Sequence, residues 1–226
     1  MSGERLMRKY KYFIFDLDGT LVDTGPAIIA ALQMMQEREG LKRLDVETLR
    51  RFIGPALKES LCKYYGVSME ETDHLTQVYR ACALEVGLEK NTVFDHVEAY
   101  LSHIIQKGGM SAVASLKQAP IPDAILKDKG LDKYFDHICL NWENAVGDKA
   151  AMIRECLSHM GAKDHREAVM IGDSPSDGRA AAEAGVDFVA FTYGDGFSFE
   201  NSLFGIEHVF NARSPQELRD FIFAAI

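Results

Sequence analysis

Two short acidic motifs stand directly after apolar runs of this 226-residue sequence. The first is Asp16-Leu17-Asp18-Gly19-Thr20, and the second is Gly172-Asp173-Ser174-Pro175-Ser176-Asp177. Carboxylates that are buried together repel one another unless a cation binds there. Mg²⁺ suits such a set because it is a hard ion that takes one or two carboxylates, keeps waters and accepts phosphate oxygens. The motifs therefore predict a magnesium site that handles a phosphate group.

Further polar residues are expected at the same place. Ser115 ends a second apolar run and is followed by Leu116 and Lys117, and Lys149 begins the helix after a third run. A hydroxyl donor and a positive charge are what a transferring phosphoryl group needs around it. Ser115 and Lys149 are the candidates for these contacts, with Lys117 as a second candidate for the charge.

The elements that must position these residues alternate between strand and helix. The first strand covers residues 11–16, and further strands are predicted near residues 110–115, 137–140, 168–172, 186–191 and 207–210. Helical patterns fall between them, at about 119–129, 148–160, 175–184 and 215–225. Such alternation favours a parallel sheet with helices on both faces, in which ligands bind outside the carboxyl ends of the strands.

Residues 22–90 break this alternation because they contain helical periods but no convincing strand. Thr24-Gly25-Pro26 and the capping box Ser68–Glu71 mark two helix starts in this segment. We therefore predict an α/β protein with a Rossmann-like, doubly wound parallel sheet core made of residues 1–21 and 91–226. Residues 22–90 are predicted to form an inserted α-helical cap domain over the carboxyl ends of the strands.

The charge and hydrophobicity of the sequence argue against some classes of binding partner. The net charge of −9 and a pI near 5.3 leave no overall positive field for nucleic acid or anionic lipid. The apolar run near the N-terminus is too short for a signal peptide, and no stretch has the length of a membrane span. We expect a cytoplasmic protein with no nucleic-acid or membrane partner, which binds a small anion through its bound cation.

The cysteines and histidines predict no further metal site. The cysteines, Cys62, Cys82, Cys139 and Cys156, are widely scattered and form no CxxC pair, and the seven histidines have no metal-ligand spacing. Cys139 lies in an apolar stretch, where a thiol usually behaves as a small buried hydrophobe. Neither a zinc site nor a disulfide framework is expected.

The acidic motifs, in this order and each at a strand end, resemble those of the haloacid dehalogenase-like superfamily, and within it the phosphoglycolate phosphatase-like branch with a helical cap. The first motif of that family is DxDGT followed by Leu, which stands here as residues 16–21. The resemblance spans nearly the whole chain. The sequence departs from the pattern at Ser115, where Thr is common, and at Ala150, where Pro often follows the lysine.

The resemblance implies a Mg²⁺-dependent phosphatase that forms an aspartyl-phosphate. Asp16 would be the nucleophile, and Asp18 the general acid and base. Mg²⁺ would be held by Asp16, by the backbone carbonyl of Asp18 and by Asp173. Asp177 would orient this set or add a ligand, and as the third residue of its helix it could equally be a simple cap.

The remaining roles also follow from the resemblance. Lys149 would be catalytic, and Gly19, Thr20, Ser115 and Lys117 would bind the phosphate of a small phosphorylated metabolite. Phosphoglycolate, a sugar phosphate, a nucleoside monophosphate and pyrophosphate all stay open, because the cap selects the rest of the substrate. The oligomeric state is expected to be monomer or dimer.

Two alternative functions use the same residue types. A phosphosugar mutase of the same superfamily would share the core and keep its phosphoenzyme away from water. A receiver-type switch would also group acids, a hydroxyl and a lysine around Mg²⁺ and a phosphorylatable aspartate. The helical insertion and Asp18 argue against the switch, which needs a long-lived phosphoaspartate and no built-in acid and base.

Other polar residues have weaker interpretations. Asp23 and Thr24 lie close to the first motif, where a helix N-cap would account for at least one of them. Gly194-Asp195-Gly196 is read as a loop near the mouth of the site. Arg50, Arg51 and Lys58 flank residues 52–55 and are candidates for substrate contacts or for a solvated helix face.

Overall fold

The protein is described by a computed structural model that covers residues 9–53, 57–141, 148–194, 196–197 and 203–226. Its strands are β1 (Tyr12–Phe15), β2 (Val22–Asp23), β3 (Thr92–Val93), β4 (Met110–Gln118), β5 (His137–Asn141), β6 (Ala168–Gly172), β7 (Asp187–Phe191) and β8 (Phe210–Ala212). Its α-helices are α1 (Gly25–Arg38), α2 (Val46–Arg50), α3 (Leu57–Tyr65), α4 (Glu71–Val86), α5 (Val97–Gln106), α6 (Ile121–Asp128), α7 (Lys149–His159), α8 (Pro175–Ala184) and α9 (Pro215–Ala225).

Six strands form one parallel sheet in the order β5-β4-β1-β6-β7-β8. From β1 the chain first adds β4 and β5 on one side and then β6, β7 and β8 on the other. The direction of winding thus reverses at β1, whose two neighbours are β4 and β6. The crevice at the carboxyl ends of these three strands is the place where open α/β sheets bind ligands.

Strand β1 shows why the sheet is covered on both faces. Its side chains point alternately to opposite faces, and all four are buried. Phe13 and Phe15 pack in the hydrophobic cluster that contains residues of α5, α6 and α9, whereas Tyr12 and Ile14 pack in the cluster of α7 and α8. The doubly wound parallel fold predicted from the alternation is therefore confirmed.

Helices α1 to α4 share a separate hydrophobic cluster, which includes Leu32, Met35, Leu49 and Leu61. The chain enters and leaves this group through β2 and β3, which pair antiparallel. The expectation that residues 22–90 contain no strand is therefore wrong at Val22–Asp23. A two-residue strand gives no periodicity, and its partner Thr92–Val93 lies beyond the whole helical segment. The division into a core of residues 1–21 and 91–226 and a cap of residues 22–90 remains a prediction.

Two other elements differ from the sequence expectation. The last strand begins at Phe210 and not at residue 207, because pairing with Val189 starts there and Val209 is already exposed. Helix α5 was not predicted, although Val97, Tyr100 and Ile104 are buried at helical spacing. Among the described residues, no helix combines the length and apolarity needed to cross a bilayer.

Candidate active site

Asp16 lies immediately after β1, at the centre of the sheet's carboxyl edge. Its amide donates a hydrogen bond of 2.9 Å to the Ile171 carbonyl of β6, which fixes the backbone as it leaves the strand. Asp16 is 8% exposed, and Lys149 places its ammonium group 2.7 Å from Oδ1. Lys149 is the first residue of α7, whose N-cap Asp148 accepts a hydrogen bond from the Ala151 amide. The sequence prediction that Lys149 reaches the strand-end site agrees with this geometry.

Asp173 and Asp177 complete a cluster of buried carboxylates with Asp16. One oxygen from each of the three lies within 4.8 Å of the others. Asp173 follows β6 directly and is 2% exposed, and its Oδ2 accepts a 3.0 Å hydrogen bond from the Gly196 amide.

Asp177 combines the two roles that the sequence left open. In the capping box of α8, its Oδ2 accepts hydrogen bonds from the amide and the hydroxyl of Ser174, at 3.0 and 2.7 Å. Its Oδ1 forms a close ion pair with Lys149. Asp177 is therefore both a helix cap and a buried ion-pair partner of Lys149. That Asp177 binds the metal remains a prediction.

Burial and mutual repulsion shift the protonation of this cluster. Burial, together with the charges of Asp177 and Asp18, raises the pKa of Asp16 to about 7, against the lowering effect of Lys149. Burial and the charge of Asp16 likewise raise the pKa of Asp173 well above its ordinary value. Among the described residues, Lys149 thus faces the three carboxylates of Asp16, Asp173 and Asp177, and the excess negative charge fits a hard divalent cation with oxygen ligands.

Asp18 is held by two donors from different parts of the chain. Lys117 on β4 donates to Oδ1 at 2.7 Å, and the Thr24 hydroxyl makes a short hydrogen bond to the same oxygen. Tyr79 of α4 is close enough for Lys117 and Asp18 to influence its pKa, which burial raises. Sequence analysis noted that Thr24 lies close to the first motif but favoured a helix-cap role for it or Asp23, and it did not single out Tyr79. Thr24 caps α1 without a side-chain bond, whereas neighbouring Asp23 accepts a 3.0 Å bond from the Gly25 amide.

The predicted phosphate-binding residues surround the same edge. Ser115 is buried, and its hydroxyl accepts a 3.2 Å hydrogen bond from the Lys117 amide, which leaves the hydroxyl proton available for a ligand. The Thr20 hydroxyl is fully buried and has no hydrogen-bond partner within the described residues. Gly19 turns the chain with φ of 74°, and a Cβ added there would lie 2.1 Å from Oδ2 of Asp173. Only glycine fits this position.

The loop that contains Gly194 and Gly196 lies against the acidic cluster. A Cβ on Gly194 would come within 2.3 Å of the Gly19 carbonyl oxygen, so the two backbones are in close contact. The Gly196 amide binds Asp173, as described above. These glycines agree with a loop at the mouth of the site, while Asp195 lies outside the described residues.

A cavity of about 970 Å³ extends from the carboxyl edge of the sheet to the helices α1, α3 and α4. On the helical side its walls include Ile28, Phe52, Lys58, Tyr79 and Arg80. Lys58 also pairs with Asp73 on the neighbouring helix. Of the basic residues proposed for substrate contacts, Lys58 lines the cavity, whereas Arg50 and Arg51 do not. Gly54 and Pro55, which these residues flank, lie outside the described residues.

Comparison with known proteins identifies the family. The model of the family described as haloacid dehalogenase-like hydrolase matches residues 13–191. A 5'-nucleotidase of Pseudomonas aeruginosa is 30% identical over 190 residues, which cover 83% of this chain and 85% of that protein. A phosphoglycolate phosphatase of Caulobacter vibrioides is 27% identical over 186 residues, covering 80% and 78% of the two chains.

Solved structures agree with these matches. A protein described as a predicted phosphatase from Clostridium acetobutylicum is 29% identical, with a TM-score of 0.85, and the match covers 95% of this chain and 98% of that one. The family match contains both acidic motifs and Lys149. This chain belongs to the haloacid dehalogenase-like hydrolases, as an enzyme of their phosphoglycolate phosphatase-like group.

Proposed function

We propose that this protein is a Mg²⁺-dependent phosphatase that hydrolyses a small phosphate monoester through an aspartyl-phosphate on Asp16. The observation that carries the proposal is the convergence of Asp16, Asp173 and Asp177 on Lys149 at the carboxyl edge of the sheet. Four charged groups are buried there at the N-terminus of α7, where stability alone would favour apolar packing. Such a concentration of buried charge supports a catalytic role.

The metal would be held by Asp16, by the backbone carbonyl of Asp18 and by Asp173. Bound Mg²⁺ would supply positive charge that neutralises phosphate oxygens and binds the ionised carboxylates. Asp177 already gives one oxygen to the capping box and the other to Lys149. We therefore assign Asp177 mainly to positioning Lys149.

In the first step, a carboxylate oxygen of Asp16 attacks the phosphorus, and the bond from phosphorus to the leaving oxygen breaks. Lys149 holds Oδ1 of Asp16 and so orients the carboxylate for attack through its other oxygen. Asp18 gives its proton to the leaving oxygen, so the alcohol departs neutral. The hydroxyls of Ser115 and Thr20 and the backbone at Gly19 hold the phosphate oxygens.

In the second step, water attacks the aspartyl-phosphate, Asp18 takes its proton, and the bond from phosphorus to the Asp16 oxygen breaks. This step releases inorganic phosphate and restores the Asp16 carboxylate. Lys117 and Thr24 keep Asp18 in one orientation during both proton transfers. Because effective acid–base catalysis depends on such placement, these two residues act as positioning groups.

We propose that α1 to α4 form the predicted cap, residues 22–90, and select the organic part of the substrate. The cavity beneath them mixes apolar and charged walls, and its volume suits a small phosphorylated metabolite. The named relatives act on a nucleotide and on phosphoglycolate, so both classes and sugar phosphates are candidates. A cytoplasmic location and a monomeric or dimeric state remain predictions.

The test is hydrolysis of p-nitrophenyl phosphate with Mg²⁺ or with EDTA, comparing the wild type with Asp16→Asn. We expect Mg²⁺-dependent turnover that falls by at least about a thousandfold in Asp16→Asn. Asp23→Asn is the matched control, since Asp23 is a nearby acid that bonds only the Gly25 amide among the contacts described above. It should keep activity.

A panel of phosphoglycolate, sugar phosphates, nucleoside monophosphates and pyrophosphate would then identify the substrate. Turnover that survives Asp16→Asn would refute the proposed nucleophile. A wild type that releases no phosphate from any ester, but moves phosphate within a phosphosugar, would establish the mutase alternative.

A further inference from the structure

A second group of metal-binding side chains lies on the edge strand of the sheet, away from the aspartate cluster. His137 and Cys139 are two residues apart on β5, so their side chains point to the same face. Glu155 reaches them from the facing helix α7. One ligand atom from each of the three lies within 4.8 Å of the others. Sequence spacing gave no sign of this group because its members come from a strand and a separate helix.

The three side chains already contact one another. The His137 Nε2 and Glu155 Oε1 atoms are 3.0 Å apart, and the Cys139 thiol lies beside the same two side chains. The His159 ring stacks on the His137 ring with centroids 3.8 Å apart, and the buried Cys156 thiol interacts with that of Cys139. Two thiols, two imidazoles and one carboxylate are thus concentrated on one helix–strand contact.

We propose that His137, Cys139 and Glu155 bind a divalent transition-metal ion of the zinc type. Imidazole nitrogen, thiolate sulfur and carboxylate oxygen are the ligands that Zn²⁺ takes in proteins, in a tetrahedral arrangement with ligand bonds of about 2.0 to 2.3 Å. A neutral imidazole with one thiolate and one carboxylate carries two negative charges, which balance the ion. Mg²⁺ is a poor competitor here because it prefers oxygen ligands.

Because the group is partly exposed, a metal ion can reach it from solvent and a water molecule can serve as the fourth ligand. Cys139 is 5% exposed, but the His137 and Glu155 side chains are 19% and 51% exposed, so an ion can enter from solvent. Water would take the fourth position on the exposed side. Binding forms the metal–sulfur bond and releases the thiol proton to solvent, while the His137–Glu155 hydrogen bond is replaced by bonds from both side chains to the ion.

The ion would join the edge strand β5 to α7, the helix that begins with Lys149. Zinc binding to the native state alone would raise the free energy of unfolding by mass action. The expected result is therefore a rise in melting temperature with Zn²⁺ that depends on these three side chains, and no requirement for the ion in phosphate hydrolysis.

Titration of the whole protein with Co²⁺ in saturating Mg²⁺ tests the site, because a thiolate ligand gives a cobalt charge-transfer band that the all-carboxylate cluster cannot give. We expect one equivalent of Co²⁺ to produce the band and Zn²⁺ to remove it. Cys139→Ser and His137→Gln should lose the band, whereas Cys62→Ser, a cysteine on α3, should keep it. Glu155→Gln, on the exposed side, should weaken Zn²⁺ binding at least about tenfold.

Cooperative thermal melting checks that each variant is folded, and none of these substitutions touches the aspartate cluster. Absence of a thiolate band at saturating Co²⁺ in the wild type would overturn the proposal. So would a band of wild-type strength in folded Cys139→Ser. A band lost only in variants of the three ligands would establish the site, whatever the outcome for the phosphatase mechanism.

Discussion

The Lys117 ammonium group donates a 2.7 Å hydrogen bond to Oδ1 of Asp18, across 99 residues of sequence. Both side chains are less than one-fifth exposed, so the pair is protected from solvent screening. Sequence analysis placed Lys117 among the phosphate ligands. The structure shows it bound to the candidate acid and base, and we therefore expect its main effect on catalysis to be the orientation of Asp18.

Substitution Lys117→Met should lower kcat/KM for p-nitrophenyl phosphate by about 100-fold, because Asp18 loses its charged partner in a buried setting. Lys127→Met is a matched control. It removes a Lys–Asp pair with the same 2.7 Å distance, but on the exposed surface of α6. Such surface pairs contribute little, and activity should be unchanged. Equal losses in both variants would contradict the assignment.

Thr24 gives Asp18 its second hydrogen bond and makes no side-chain cap for α1. Thr24→Val keeps the shape of the side chain and removes the hydroxyl. We expect kcat to fall about tenfold with little change in KM, since a hydrogen bond to a charged group contributes about 1.5–3 kcal/mol. Thr24→Ser retains the donor and should restore kcat to within about threefold of the wild type. Steady-state kinetics of both variants would decide; a Thr24→Ser enzyme as slow as Thr24→Val would show that the methyl group matters instead.

Gly19 and Gly40 both have positive φ, at 74° and 60°, but only Gly19 is enclosed. Gly19→Ala would place a Cβ against Asp173, so we expect loss of Mg²⁺-dependent activity by about 100-fold or more. Gly40→Ala meets open space and should only destabilise the fold, by about 1 kcal/mol. Measuring the activity and the thermal melting of both variants separates two effects. Both variants should be destabilised by placing alanine at a positive φ, whereas only Gly19→Ala should also lose activity through the steric clash at the site.

The positions of the candidate catalytic residues were predictable because each stands at a strand end or a helix start next to a sequence signal. Asp16 and Asp173 follow apolar runs, and Lys149 starts a helix. The roles of Thr24 and Tyr79 near Asp18 were not predictable, since their positions depend on how the helical segment packs on the core. Helix α5 has a helical pattern in its own sequence, because Val97, Tyr100, Leu101 and Ile104 are buried at helical spacing. The short β2–β3 pair left no local pattern at all.

The raised pKa of Asp16, about 7 against an ordinary 3.8, gives the metal-free protein a defined pH dependence. The native state keeps a proton that the unfolded chain releases, so the stabilisation is complete below about pH 3.8 and is lost as pH rises through about 7. Burial of Asp173 acts in the same direction. In EDTA, the wild type should lose stability relative to Asp16→Asn as pH increases.

Thermal melting of both proteins in EDTA, from about pH 5 to about pH 8, measures this difference. We expect the melting temperature of Asp16→Asn to rise by several degrees relative to that of the wild type between the lowest and the highest pH. A change of 1 kcal/mol in the free energy of unfolding corresponds to about 2–4 °C for a protein of this size. Mg²⁺ should stabilise the wild type more at the higher pH, where the carboxylates are ionised. A difference in melting temperature between the two proteins that stays the same at every pH would show that Asp16 does not titrate in this pH range.

Substitutions of Ser174 and Ser214 test whether Asp177 contributes to catalysis by positioning Lys149. Each serine caps a helix by accepting a hydrogen bond from the amide three residues later, on α8 and α9. Replacing either by Ala should cost about 1 kcal/mol of stability. Only Ser174→Ala also removes a hydroxyl that holds the Asp177 carboxylate, so only this variant should lose activity.

We expect kcat of Ser174→Ala to fall about three- to tenfold, because the Asp177 carboxylate keeps the backbone amide bond but loses the 2.7 Å bond that fixes its rotation. Lys149 is then less firmly directed at Asp16. Kinetics and melting of the two variants, measured side by side, separate this effect from the shared loss of a cap. If Ser214→Ala lost activity to the same degree, general destabilisation would explain both, and Asp177 would have no positioning role.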